Sequence, residues 1–449
     1  MNKITNNETD GKLNKLLVLC MVIFASGTFM LETFLFSLQT KMIYIIVTII
    51  LLLIYYILEN RRLSIYILEL MWFLFFMYFF INMIINGEIE GLFIYDIIAF
   101  ATLFIIVLLL KVDAKYFNIA INIMLIFAVI HALVAIFQFV NMELYSKLIL
   151  TRFTEKQKIE ILRIFNHNSY TGLTRQTAYI SGFLVIGIGI ALINFRNYKN
   201  HFRRNLVIFS LPLMMFALLL GGKRAHLLFM VLSFMIVYLF STNIKRFLVQ
   251  LLKLIGIMFI SIFLIILFHL FYQPDSNSPI GKMYIKLENT VEGFLVGEDI
   301  TSGRTILYDY ALKLFYDNPV FGIGWRKFND LTFGLLSDNT GSHPHNIYLQ
   351  LLTELGIIGF ILFMLPVVYL LILTIKLLMK NNNETELNNV WRRLIQISLF
   401  IQTFFILYGF TGNLLTDHMY IFIYVFSATI TMSYLNSLNK KIKNEDGSH

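Results

Sequence analysis

The residues best placed for acid–base or charge-neutralising chemistry stand where polar stretches run back into apolar ones. His345 is the clearest. It begins the run His345-Asn346, then nine residues, then Gly356-Ile-Ile-Gly359, where a long polar loop enters an apolar helix. An imidazole there can accept or orient a proton at a membrane surface. Arg304 opens a stretch in which Leu307, Tyr310, Ala311, Leu314 and Phe315 share one helical face. Thr301 or Ser302 can cap that helix and Asn318-Pro319 ends it. A guanidinium in the first turn, beside free backbone N–H groups, suits a phosphate. Arg175, in Gly172-Leu-Thr-Arg175-Gln, and Lys223-Arg224, in a very short turn, set further cations beside apolar runs. Each has a plain structural alternative: a helix cap for His345, a solvated helix position for Arg304, a span flank for Arg175, a snorkelling side chain for Arg224. Glu354 follows His345 by nine residues, about two and a half helical turns. It is expected to order a cavity wall rather than share a proton with His345.

Composition defines the elements that must hold these groups. The chain of 449 residues is 58% hydrophobic and 14% charged, with mean hydropathy +0.74. Soluble domains carry about 25% charged residues. Repeated apolar runs near span length, ended by Lys, Arg or Asn, mark an all-α polytopic membrane protein. About twelve spans are expected, at 14–36, 42–58, 64–85, 92–110, 116–140, 178–195, 205–221, 224–241, 248–271, 345–376, 394–411 and 417–435. The span from His345 is long enough to tilt or to project beyond the bilayer. The first run lacks a small-residue cleavage site and reads as a membrane helix, not a removed leader. Cys20 is the single cysteine, so no intrachain disulfide can form.

Lys and Arg in the short loops set the orientation. With Lys3, Lys12 and Lys15 in the cytoplasm, the inner loops collect Arg61-Arg62, Lys111, Lys115, Arg203, Arg204, Lys245-Arg246, Arg392 and Arg393, and the C-terminal Lys440, Lys441 and Lys443 join them. Both termini are then cytoplasmic. Lys223-Arg224 breaks the trend on the outer side, as if something external needs that charge. The net charge of +9 follows from this topology and from contact with anionic lipid. No basic stripe interleaved with exposed aromatics argues for nucleic acid.

The whole of 1–449 reads as one membrane domain with two long outer segments. The first, 141–177, contains Thr154-Glu-Lys-Gln157 followed by Ile159, Ile161, Leu162 and Phe165, the pattern of a capped amphipathic helix at the interface. The second, 272–344, carries aromatic and aliphatic residues at helical spacing and is expected to fold, being too long for a plain connection. Its Gly322-Ile-Gly324-Trp325 is a tight turn, since neither a βαβ pattern nor Gly-Lys-Ser/Thr surrounds it. Ionisable residues inside spans mark a functional interior. Glu32, Asp96, His226, His269 and Glu354 fall toward the outer ends of their spans, so the outer half should enclose a polar cavity. Glu88 and Glu90 lack an identifiable third ligand for a metal.

These features resemble the O-antigen ligase and O-antigen polymerase superfamily of bacterial envelope glycosyltransferases. The likeness is best over residues 302–365. It rests on Arg304, on Asn318-Pro319-Val-Phe-Gly322-Ile-Gly324 with Phe328, and on His345-Asn346 leading to Glu354, Gly356 and Gly359. Gly172-Leu-Thr-Arg175 and Lys223-Arg224-Ala225 are weaker likenesses, the latter departing from the more usual Ser-Arg-Gly/Ala. The resemblance implies a GT-C-like helical fold in the bacterial cytoplasmic membrane, with the large outer loop between spans 9 and 10 completing an outward-facing active site. It implies glycosyl transfer from an undecaprenyl-pyrophosphate-linked oligosaccharide without metal or cofactor. His345 and Arg304 would be catalytic; Arg175, Arg224 and Lys223 would bind pyrophosphate; Asn346 and Glu354 would support them. Membrane lipid, a flippase and a chain-length regulator are the implied partners, in capsule or exopolysaccharide assembly. A repeat-unit polymerase is favoured because the likeness is to the superfamily as a whole, with an O-antigen-type ligase as the alternative. A polysaccharide flippase fits less well, because no internal repeat is evident.

Overall fold

Hydrocarbon offers no water to backbone N–H and C=O groups, so a long apolar run must satisfy them within itself. The apolar runs here do so as helices. The computed structural model describes residues 2–35, 37–59, 63–86, 91–195, 201–242, 249, 304–333, 342–380 and 386–446. The first five helices, α1 (Asn2–Met30), α2 (Leu38–Leu58), α3 (Ile67–Asn86), α4 (Gly91–Leu109) and α5 (Ala114–Val140), are followed by the short α6 (Met142–Leu148) and α7 (Glu155–Asn166). Then come α8 (Thr177–Asn194), α9 (His201–Leu220) and α10 (Arg224–Ser241). After the gap in described residues are α11 (Arg304–Asp317), α12 (Lys327–Leu331), α13 (Ile347–Lys380), α14 (Glu386–Tyr408) and α15 (His418–Asp446). Among the described residues nine helices are long and apolar enough to cross a membrane, with shorter apolar helices at Ile94–Leu109 and Arg204–Leu220. The expected span at 248–271 and most of the loop at 272–344 lie outside the described residues. So do Glu88, Glu90, Lys245, Arg246 and His269.

The helices pack as one bundle. α5 touches α1, α8 and α9; α13 packs on α3 and α14; α15 packs on α4 and α14. α8 is the most enclosed candidate span. Trp72 of α3 sits fully buried among Phe75, Phe363 and Tyr424. Edge-on aromatic contacts of this kind add roughly 0.5–1.5 kcal/mol beyond the area they bury. At the end of the bundle away from His345, Lys111 and Glu69 form a buried ion pair at 2.6 Å.

The first span ends at Met30, earlier than expected, because residues 31–35 leave the helix to pair Thr33 with Thr174 in an isolated antiparallel bridge. The larger difference is in α13. The expected long continuous helix is broken at Gly356, whose φ of 67° and ψ of −174° are non-helical. That break frees the carbonyls of Thr353 and Glu354 and the N–H of Ile357. The glycine turn of residues 319–324 satisfies all three: Ile323 N donates to Thr353 O at 2.9 Å, Gly324 N to Glu354 O at 3.0 Å, and Ile357 N to Pro319 O at 2.9 Å. A Cβ at Gly356 would lie 2.2 Å from Val320 O, and one at Gly322 would lie 2.5 Å from Glu354 O.

This conformation is open essentially to glycine alone and costs other residues about 1–3 kcal/mol before any clash. Gly356→Ala should therefore lower the thermal unfolding midpoint of detergent-purified protein by several degrees. An unchanged midpoint would contradict the inserted turn.

Candidate functional site

α13 begins at Ile347 because Asn346 caps it. The Asn346 Oδ1 accepts from Tyr348 N at 2.9 Å and from Leu349 N at 3.2 Å, and Asn is among the strongest capping residues. His345, one position earlier, takes a left-handed φ of 53°, a region where histidine is enriched over most side chains. Its carbonyl accepts from the Tyr308 hydroxyl at 3.5 Å, which also reaches the Phe410 carbonyl at 3.3 Å. Ile347 N donates to Gly409 O at 2.8 Å. The histidine is thus held where α11, α13 and the α14–α15 turn converge.

Arg304 is the first described residue of α11, one turn before Tyr308; the expected cap positions Thr301 and Ser302 lie outside the described residues. The helix docks through the buried Leu307 and Ala311 against Phe328, and Thr353 Oγ1 donates to Ala311 O at 3.0 Å. Burial, then the charges of Arg304, His343 and Lys223, push the His345 imidazole down to about 3. Arg304, Lys223 and His345 therefore share one cationic region, and His345 is neutral at ordinary pH. Arg224 begins α10 next to Lys223 and is exposed.

Arg175 belongs to an adjoining network. Its guanidinium lies 3.2 Å from Glu32 and donates to Tyr179 Oη at 2.8 Å; Lys41 pairs with the same Glu32 at 2.8 Å. Tyr179 in turn donates to Asp417 at 2.9 Å. Burial and the neighbouring Glu32 charge push the Asp417 carboxyl up to about 7, against the hydrogen bond from Tyr179. Burial alone would lower the Arg175 guanidinium, but Tyr179 and Glu32 outweigh it and hold it above its usual value. Tyr420 and Tyr408 lie between this network and the His345 region, with Tyr408 packed on His226 at 4.2 Å and on Tyr420 at 5.4 Å between ring centroids.

Glu354 is fully buried. Gln350 Nε2 donates to one of its oxygens at 3.0 Å, and the other has no hydrogen bond among the described residues. Its charge acts on Arg326. Beside it stands a cluster that the residue pattern did not single out as a site. Asp96 accepts from Trp325 Nε1 at 2.7 Å, from Arg326 at 2.5 and 3.0 Å, and from His418 Nε2 at 2.6 Å. Burial would lower the Arg326 guanidinium, but Asp96, Glu354 and Asp417 together hold it above its usual value. Burial and the Arg326 charge push His343 down to about 4. Asp96 was visible as an intramembrane carboxylate. Arg326, Asp417 and Tyr179 left no signal, because their partners lie far away in sequence.

An α-helical membrane bundle with a cationic, histidine-bearing region at one end is the class that fold and site define. Residues 209–364 match the family model described as O-antigen ligase. The match spans Lys223, Arg224, Arg304, His345, Asn346 and Glu354 but not Arg175, and it supports the O-antigen ligase and polymerase superfamily. Comparison with curated proteins gives no match.

His343 and His345 both titrate below the usual histidine value of about 6.5 in the folded state, at about 4 and about 3. The unfolded chain therefore binds more protons between those values, so stability is full above about 6.5 and falls as the pH drops toward 3. Thermal unfolding across this range should show a shallower acid slope for His345→Gln than for the wild type. Identical slopes would contradict a neutral, half-buried His345.

Proposed function

We propose that the chain is a glycosyltransferase that joins polyprenyl-pyrophosphate-linked oligosaccharide repeat units at the outer face of the cytoplasmic membrane, by metal-independent inverting transfer. The observation that carries this reading is the convergence of Arg304 and Lys223 on a neutral His345 inside the segment matched by the family.

The chemistry is a single displacement. The acceptor hydroxyl oxygen bonds to the anomeric carbon of the donor sugar, the bond from that carbon to the pyrophosphate oxygen breaks, and polyprenyl pyrophosphate leaves. Negative charge grows on the leaving group. Preorganised cations neutralise it with no reorganisation at the moment of reaction, and arginine adds a fixed fork of donors that matches phosphate oxygens. Arg304 and Lys223 take this part, with Arg224 and Arg175 on the approach. His345, neutral but weakly basic beside these cations, orients the acceptor hydroxyl. A bound pyrophosphate offsets the same charges that depress the imidazole. His345 therefore becomes more basic as the donor arrives, and it takes the hydroxyl proton for release to water. Asn346 and Glu354 act through the backbone, one as the helix cap and the other as part of the wall beside the glycine turn.

A ligase that transfers a lipid-linked glycan to another envelope acceptor is the second reading, favoured by the printed description of the matched family. It uses the same groups and differs in the acceptor.

Purified protein given synthetic undecaprenyl-pyrophosphate repeat units should yield a ladder of lengthening products without nucleotide. One transfer to a different acceptor would identify a ligase. Arg304→Ala should slow transfer by about 10²–10³-fold, the scale for losing one preorganised charge-stabilising group. His345→Ala should slow it by about 10²–10⁴-fold. Rates at the wild-type level in both variants would remove these residues from the mechanism.

A further inference from the structure

A concavity opens beside Lys223. It has a volume of about 410 Å³, within the range that encloses a small-molecule ligand. One wall is a face of α7: Glu160, Arg163, Ile164 and His167, at helical spacing. The other walls are the start of α8, through Gln176 and Thr177, and the turn Gly221-Gly222-Lys223. These walls are tied together. Glu160 accepts from Gln176 Nε2 at 2.6 Å, and Tyr170 N donates to Leu220 O at 3.2 Å, beside the glycine turn.

α7 has three distinct faces, and together they show what the cavity is built for. The helix is capped by the reciprocal Thr154–Gln157 box and anchored by Ile161, which is 0% exposed against Tyr145, Leu150 and Phe153. Ile159 and Leu162 are 69% and 41% exposed, as befits a side that meets the lipid interface. Its third face lines the concavity: Glu160 is half-buried in the wall, and Arg163 and His167 stand exposed at the open rim.

The lining selects among ligands. Ile164 and Ala178 are its apolar side chains, and among the described residues no Phe, Tyr or Trp lines it, so it does not suit a prenyl chain. Glu160 stands in its wall as an acceptor, which a sugar hydroxyl can donate to and an ionised pyrophosphate cannot. Carboxylate and amide acceptors alternate with guanidinium, ammonium, imidazole and hydroxyl donors, a set that pairs with vicinal hydroxyls. A carboxylate offers about four acceptor positions, so Glu160 can hold Gln176 and a sugar hydroxyl at once. Lys223 lines the cavity and also acts on His345, so a ligand seated here ends beside the proposed transfer centre.

We propose that this cavity is a saccharide subsite that seats a sugar of the lipid-linked oligosaccharide next to Lys223. The proposal rests on the transferase reading for the identity of the oligosaccharide, and it names where that oligosaccharide is held. Glu160 and Arg163 are its recognition residues.

The test uses the full-length protein in detergent and the repeat-unit oligosaccharide freed from its lipid by mild acid. Saturation-transfer NMR reads binding, and steady-state transfer reads KM and kcat separately. Wild type should show saturation transfer to the sugar protons. Glu160→Ala and Arg163→Ala should each weaken binding and raise KM about ten-fold, the scale of one or two lost hydrogen bonds, with kcat within about two-fold. Glu160→Gln, which keeps an acceptor oxygen, should recover most of the affinity, as a merely structural role for the charge would not. Unchanged binding and KM in variants with wild-type unfolding midpoints would overturn the subsite while leaving transferase activity intact. Wild-type binding without any turnover would support the subsite and overturn the transferase reading.

Discussion

The backbone of residues 319–324 lies within the break of α13, and the contact has room for no side chain on either strand of it. A Cβ on Gly322 or Gly356 would fall within 2.6 Å of opposing backbone atoms. Three backbone groups released by the break are taken up by the turn, as a membrane-depth interruption requires. Much of the site follows from this insertion. It brings Trp325 and Arg326 to Asp96, places α12 against α13, and fixes the helical segment from Asn346 to Leu355 independently of the long apolar helix that continues to Lys380. His345 is therefore positioned by a short, separately anchored helix.

Charge is arranged in the same economical manner. Asp96 is 0% exposed, and a lone carboxylate there would be strongly destabilising; it instead accepts from the indole and guanidinium of the adjacent Trp325 and Arg326 and from the imidazole of His418 on α15. Glu32 does the same for Lys41 and Arg175. Breaking such a buried pair typically costs about 3–5 kcal/mol, whereas forming it is close to neutral, so these clusters fix geometry more than they add stability. The charges of Arg304 and Lys223 act on His345.

The helices were legible in the sequence because apolar runs of span length have few alternatives. The capping box of α7 was legible for the same local reason, as was the helical face of Leu307 and Ala311 in α11. The break in α13 was not, because Gly356 sits in an otherwise unbroken apolar run and its partner turn lies more than 30 residues earlier. Asn346 was read as a companion of His345, while its physical work is to cap α13. Arg175 was read as a cation beside a span, and its pairing with Glu32 depends on a bridge between Thr33 and Thr174 that no local pattern announces. His418 meets Asp96 across 322 residues. Local order is written in neighbouring residues, and buried charge partners are chosen by the tertiary fold.

The central claim is that His345 is a neutral imidazole whose basicity is lowered by burial and by the cations around it, and that a bound pyrophosphate offsets the cations' share. Carbon-13 NMR of histidine-labelled protein, with His345 assigned by loss of its signal in His345→Gln, measures this directly. The account predicts a ring that stays neutral down to about pH 3 and titrates at higher pH once a pyrophosphate lipid is bound. A ring that titrates near 6.5 and does not respond to the lipid would contradict it.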